Sequence, residues 1–557
     1  MVRRRVAVLG AAALTACGGG GGGAGGTTAP PVTPPPVSAS DAARLLDQAT
    51  FGVTAADLAH VQTVGFSSYL AEQAAAAPSQ YTGFAYTPHT APATCQYHAA
   101  TPTDASSLCS RDQYSAFQVQ RQFFQHALGN PDQLRQRVAY ALSQIMVVSS
   151  VEIYEAYGMA DYQNLLLRDA LGNYRTLLQD VTLSPVMGHY LDMVGNDKAN
   201  PVNGTTPNEN YAREIMQLFS IGLYQLNADG SLQTDANGAP IPTYTQDTIE
   251  GFAAVFTGWT YPPLPGANSV WNNPVNFDGT MVEFPDHHTT DAKLLLNGTT
   301  LSANQTQDQD LQMALDNIFN HPNVGPFIGK QLIQHLVTSN PSPAYVARIS
   351  AVFANNGQGV RGDLGAVVRA ILSDPEARGD APAATVFGRL RDPAQYIAGT
   401  LRSLGGQSDG VYPTSAAAAM GEPIFTPQTV FNFYPPSYAI PGTATLAPEF
   451  GIDNAATALA RGNFVNTMVY GGGAKPSATV AGSTGTTIDL TSLAAAADAP
   501  TLVADLNQTL MHGSLGTDAV NVILAALSAT STATDPLALA RAASYLVLTS
   551  PQYQVVR

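Results

Sequence analysis

Residues 130–145 read NPDQLRQRVAYALSQI. Leu134, Val138, Leu142 and Ile145 recur every three or four positions, which puts them on one stripe of a helix and would scatter them over both faces of a strand. Asn130 and Pro131 stand where a helix opens, because a first-turn residue has no intrahelical use for the N–H that proline lacks. The same period runs through most of the chain. Thr54 is followed by Asp57, then by apolar Leu58, Val61 and Val64, with Gly65 where a helix-terminating glycine belongs. Residues 243–259 (TYTQDTIEGFAAVFTGW), 306–319, 323–337 and 363–373 follow it too. Strand signals are short, the best being AKLLLNGTTLS at 292–302, where Asn297-Gly298 reads as a two-residue hairpin turn. The pattern predicts a mainly α, multi-helix globular domain over 40–557 with a small β-hairpin insertion.

One phrase recurs: TLLQDVTLSPVM at 176–187, VVRAILSDPEAR at 367–378 and SYLVLTSPQYQVVR at the C-terminus. Each reads as an apolar helix end halted by proline, since the residue before proline is pushed out of helical geometry. Irregular spacing makes these independent helix stops and not a solenoid. The small-residue stretch at 471–500 predicts a surface loop, and Leu502, Leu506, Leu510, Leu537, Leu539 and Leu546 predict helices that pack back on the body.

The chain opens MVRRRVAVLGAAALTAC, with Arg3 to Arg5 before a short apolar run. This predicts a signal peptide over 1–16, too short to span a bilayer. Leu-Thr-Ala-Cys resembles a bacterial lipobox, so Cys17 is the expected lipidation site, and the Gly- and Pro-rich residues 17–39 read as a tether. The expected location is the cell envelope, periplasmic or at the cell surface, held to a membrane by N-terminal lipid. No later stretch reaches the length of about 18 apolar residues that a spanning helix needs. With 25 basic residues against 41 acidic ones and no basic cluster after Arg5, nucleic acid is not an expected partner. Cys95 and Cys109 share one loop without CxxC spacing, which in an oxidising compartment predicts a disulfide.

Six phrases together resemble the bacterial family catalogued as domain of unknown function 1800. They are LLDQATFG at 45–52, PNENYAREIMQLFSIG at 207–222, TGW at 257–259, His287 followed by Lys293 and LLxG up to 298, GDLGAVVRAIL at 362–372, and FNFYPPSY at 431–438. The resemblance runs from about residue 40 to the C-terminus and implies an exported, largely helical protein without an assigned activity. It also implies an exported protein similar to sulfatases and phosphatases as a partner, since genes of the two kinds are often neighbours. Where the family often has Glu after ARExx, this chain has Gln217.

Thr206-Pro207-Asn208-Glu209 reads as a capping box that opens the signature helix, with Arg213 placed to pair with Glu209 and Asn210 with Glu214. Glu214 flanks the buried stripe of Tyr211, Ile215, Leu218 and Phe219, and a half-buried carboxylate needs a partner or a metal. Asp247 and Glu250 are three apart on the next helix and share a face. The loop beyond carries both tryptophans, Trp259 and Trp271, with Tyr261 and Phe277, and leads to EFPDHHTTDAK at 283–293. Adjacent histidines point apart, so one of the pair is expected to act, and His287 fits the family phrase better than His288. Candidate catalytic residues are therefore Glu214, Asp247, Glu250 and His287. Candidate ligands for one divalent metal ion are His287, Asp286 and Glu214, with Asp291 the alternative to Asp286. Arg213, Trp259, Tyr261, Trp271 and Lys293 are candidate substrate contacts. His321 and His335 read as structural. No G-x-S-x-G, HExxH, P-loop or dinucleotide motif is present.

Two functions fit. One is a tethered hydrolase acting on an envelope or extracellular polymer by metal-assisted or acid–base chemistry. The other is a non-catalytic binding or scaffold lipoprotein for an envelope partner or glycan. Convergence of Glu214, Asp247 or Glu250, and His287 on one cavity would favour the first, and scatter the second.

Overall fold

In the computed structural model, residues 37–379, 386–529 and 535–557 are described. The expected signal peptide, Cys17 and nearly all of the tether lie outside them. Within them are twenty-three α-helices and four two-stranded antiparallel sheets, so the chain is mainly α.

Leu134, Val138, Leu142 and Ile145 are all buried on the Gln133–Ile145 helix, which packs between Ala156–Asp169 and Val324–Leu336. That helix begins two residues later than Pro131 suggests. Asp132 stands at the N-cap without capping; its Oδ2 accepts the Ser79 N–H at 2.8 Å and the Gln136 amide at 3.1 Å, and its Oδ1 has no partner. Thr54 does cap Ala55–Val64 through the Asp57 N–H, and Gly65 ends it at φ 80°. The three proline stops fall at Ser184, Asp374 and Ser550, whose ψ angles of 124°, 142° and 147° are extended as a following proline requires.

Every strand is two residues long. Two sheets are local, Trp259–Thr260 with Val282–Glu283 and Lys293–Leu294 with Thr300–Leu301. The other two are long-range. Arg389–Leu390 pairs with Val555–Val556 near the C-terminus, and Gln407–Ser408 pairs with Thr486–Thr487 from the small-residue stretch. Asn297 and Gly298 do form the hairpin turn, both at positive φ (57° and 70°), with the Thr299 N–H donating to the Leu296 carbonyl. The strands beyond it are one residue out of step, because the Leu296 N–H is taken by the side chain of Asn317.

One continuous apolar core runs from Ala42 to Tyr553. The last helices pack into it through Leu502, Leu506 and Leu510 as expected, whereas Pro536–Leu548 buries Ala540, Ala543, Val547 and Leu548 and leaves Leu537 exposed and Leu539 and Leu546 half-buried. Buried ion pairs join distant segments, Arg391 to Asp47 at 2.9 Å and Arg389 to Glu449 at 3.0 Å, while Asp392 pairs with Arg389 locally at 3.0 Å. A disulfide joins Cys95 and Cys109. No helix among the described residues is long and apolar enough to cross a membrane.

Candidate functional site

The signature helix spans Asn210–Gln217, and the capping box at Thr206–Glu209 does not form. Asn196 is the reason. Its Oδ1 accepts the Asn208 N–H at 2.7 Å, while the Asn208 side chain accepts the Asn210 N–H at 2.8 Å, so the chain is held in a turn until Glu209. Glu209 still pairs with Arg213 at 2.9 Å and also accepts from Gln246 at 2.9 Å. Asn210 turns to Asp192 at 3.1 Å instead of to Glu214. Glu214 is buried with Oε2 unpartnered, and burial pushes its carboxyl up while Arg213 pulls it back. Arg213 is thus ion-paired with Glu209, and it acts on Glu214 only through its charge.

The other candidates separate. Asp247 and Glu250 lie exposed on Gln246–Val255, where Gln246 bridges Glu250 and Glu209, a solvated helix face. His287 lies flat on Trp271, ring centroids 3.9 Å apart and planes 6° from parallel, with Nδ1 3.0 Å from Asp197. His288 turns the opposite way into the core, its ring nitrogens 3.0 Å from the Thr257 carbonyl and 3.0 Å from Asp310. Lys293 is buried there as well, 2.7 Å from Asp310 and donating to the Thr289 and Asp291 carbonyls, so its expected role as a substrate contact is corrected to internal counter-ion. Trp259 and Tyr261 are buried and belong to the core, which leaves Trp271 as the half-exposed aromatic. His287, Asp286 and Glu214 are not brought together as ligands: among the described residues no group of three or more His, Cys, Asp or Glu is placed to hold a metal ion. His321 and His335 are buried, and burial pushes them down to about 4 and about 3, with Arg361 assisting at the first and Arg389 and Arg137 at the second.

The site that sequence reading misses is a polar cleft of about 350 Å³ between Ala156–Asp169, the end of Tyr174–Leu183 and the loop at 277–280. Asp161, Asp180, Asp278, Arg168, Ser184 and Gln80 line it. Arg168 is occupied by Asp169 and Asp180. Asn164 fastens the segment at 81 to the helix, donating to the Tyr81 carbonyl at 2.9 Å and accepting its N–H at 2.8 Å. Asp161 is different from its neighbours. It is half-buried, and burial together with the charge of Asp278 pushes its carboxyl up to about 7. A carboxylic acid that holds its proton near neutrality and faces a cleft is equipped to donate it. No local signal marks it, because Asp161 owes its environment to a loop far along the chain.

A larger cleft of about 370 Å³, lined by Leu223, Tyr224, Leu232, Phe327 and Pro436, is apolar and carries no acid or histidine. Neither cleft is lined by Glu214, Asp247, Glu250 or His287.

Nothing among the curated proteins or the solved structures matches the chain. The family model described as "Protein of unknown function (DUF1800)" matches residues 44–555, from the first core helix to the last strand, and the chain belongs to that family.

Proposed function

We propose that this protein is an exported lipoprotein, anchored in the cell envelope through Cys17, whose folded body hydrolyses an envelope or extracellular polymer by acid–base catalysis. The observation that carries the reading is Asp161, a carboxyl held near 7 by burial and Asp278 on the wall of a polar cleft. Protonated Asp161 donates to the leaving-group oxygen of the scissile bond, and Asp278 accepts the proton of the attacking water, the division of labour of paired carboxylates in glycoside hydrolysis. Ser184 and Gln80 supply polar contacts to hydroxyl groups on the polymer. Assays of the purified full-length chain on cell-wall and neutral polysaccharides, read by release of reducing ends, test this. Asp161→Asn should lower turnover by about 10²–10⁴-fold with the melting temperature preserved. Equal turnover in the variant defeats the reading.

The second reading, a non-catalytic glycan-binding lipoprotein, is favoured by the scatter of Glu214, Asp247, Glu250 and His287, none of which lines either cleft, and by the half-exposed Trp271–His287 stack. It expects Trp271→Ala to weaken polysaccharide binding while no substrate in the panel is cut.

A further inference from the structure

Outside the lining of the cleft stands a histidine pair, His89 and His189, of which His189 packs edge-to-face against Phe277. His89 Nδ1 lies 2.7 Å from Glu155 Oε1, and the Glu155 side chain is fully buried while the His89 ring is 37% exposed. A carboxylate beneath an accessible imidazole holds the proton on Nδ1 and turns Nε2 outward as an acceptor. The loop that carries His89 is pinned: Tyr154 stacks on the ring at 5.1 Å and donates to the His89 carbonyl at 3.0 Å, and Tyr114 donates to the Pro88 carbonyl at 2.9 Å. The Tyr154 oxygen is also 3.1 Å from both ring nitrogens, but from a stacked ring, off the in-plane direction of their lone pairs.

His189 stands next to His89, ring centroids 5.7 Å apart and planes at 60°. Its Nδ1 is bonded to the Tyr261 hydroxyl. Burial pushes the Tyr261 phenol well up, so it keeps its proton and donates. Burial and the neighbouring His89 push His189 down, Asp192 opposing, so the ring is neutral and Nδ1 accepts. The proton of His189 is then on Nε2. Two imidazoles side by side are thereby set in complementary states, His89 Nε2 to take a proton and His189 Nε2–H to give a hydrogen bond. Glu155 Oε2 adds a buried acceptor with no partner, a polar group left short of a hydrogen bond until something supplies one.

We propose that Glu155, His89, His189 and Tyr261 form a second site that hydrolyses small neutral acyl esters. His89 Nε2 takes a proton from water as the water oxygen bonds to the acyl carbon, and His189 Nε2–H holds the acyl oxygen while it carries charge. The ester C–O bond then breaks with its electron pair going to the alkoxy oxygen, which recovers the proton from His89. Ester and water become acid and alcohol. The ester is neutral because the carboxyl groups of Glu155, which burial pushes up and His89 pulls back, and of Asp192 stand beside the two histidines and offer an anionic group no counter-charge. Glu155 is a positioning residue, and His89 and His189 are the groups that touch the substrate.

The test uses the full chain with 4-nitrophenyl acetate, read as 4-nitrophenolate release. His89→Asn should lower kcat/KM by about 100-fold or more, and the exposed His60→Asn should leave it unchanged. Glu155→Gln should lower kcat by about 10-fold with KM held within about twofold, the mark of a group that acts on the transition state through His89. If Glu155→Gln loses its cooperative melting transition, His89→Asn decides alone, because a half-exposed loop ring leaves no buried gap. Hydrolysis by the wild-type chain no faster than by His89→Asn, or a loss on Glu155→Gln that falls on KM alone, overturns the proposal.

Discussion

Lys293 Nζ lies 2.7 Å from Asp310 Oδ2, and both side chains are withdrawn from solvent. Asp310 belongs to Gln307–Phe319 and Lys293 to the hairpin, so the pair fastens the loop that carries both histidines to the helical body. His288 approaches the same oxygen at 3.0 Å. Lys293→Met removes the cation and leaves a buried carboxylate short of its counter-charge, which should destabilise the fold by about 3–5 kcal/mol. Removing Asp310 as well, as Lys293→Met/Asp310→Leu, should restore part of that loss, because the stranded charge is then gone. Urea unfolding of the single and double variants measures both.

The same pair fixes the sign of an acid effect. Burial pushes the Asp310 carboxyl up, but hydrogen bonds and charge from His288 and Lys293 more than reverse it, so the folded value is below the ordinary one. Its contribution to stability is therefore complete above the unfolded value, about 4, and is lost as pH falls through the lower folded value. The melting temperature of wild type should drop below about pH 4 more steeply than that of Asp310→Asn.

What the sequence discloses and what it hides divide along one physical line. The stripe of Leu134, Val138, Leu142 and Ile145, the cap at Thr54, the turn at Asn297-Gly298 and the stops before Pro185, Pro375 and Pro551 are properties of near neighbours in the chain, and all are visible there. Thr206 to Glu209 fails as a capping box because Asn196, a residue outside the segment, captures the Asn208 N–H. Lys293 reads as a substrate contact until Asp310 is set beneath it. Asp161 and His89 carry no motif at all, since the first depends on Asp278 and the second on Glu155 and His189.

Gly251 marks where the Gln246–Val255 helix meets the hairpin backbone to backbone. A Cβ at this position would stand 1.8 Å from the Leu294 carbonyl oxygen, inside any permitted contact, and the obstacle is main chain that cannot rotate aside. Gly251→Ala should therefore destabilise by about 3 kcal/mol or more, in contrast to an alanine at exposed Glu250. Denaturation midpoints of the two variants give the comparison.

The disulfide closes the loop between Cys95 and Cys109, separated by 14 residues, next to the segment that presents His89. A loop of that length restricts the unfolded chain enough to contribute about 3 kcal/mol. Cys95→Ser/Cys109→Ser should lose roughly that amount in urea unfolding. Wild type reduced with dithiothreitol should match it, which separates loss of the cross-link from the effect of the serines.

Asp161 makes its own prediction about pH, with the opposite sign to Asp310. Its folded value of about 7 stands above the ordinary aspartate value of about 4, so the native state holds the proton more tightly than the unfolded chain. Its favourable contribution is complete below the unfolded value and is lost as pH rises through the folded value, that is, between about 4 and 7. Above that range the native state must carry a half-buried charge next to Asp278. Asp161→Asn removes the titration and keeps the shape. Its melting temperature should equal that of wild type near pH 4 and exceed it at pH 8, while polymer hydrolysis is lost at both. A variant that is less stable than wild type at pH 8 would show that Asp161 is ionised and paired in the native state, and would remove the proton donor on which the hydrolytic cleft depends.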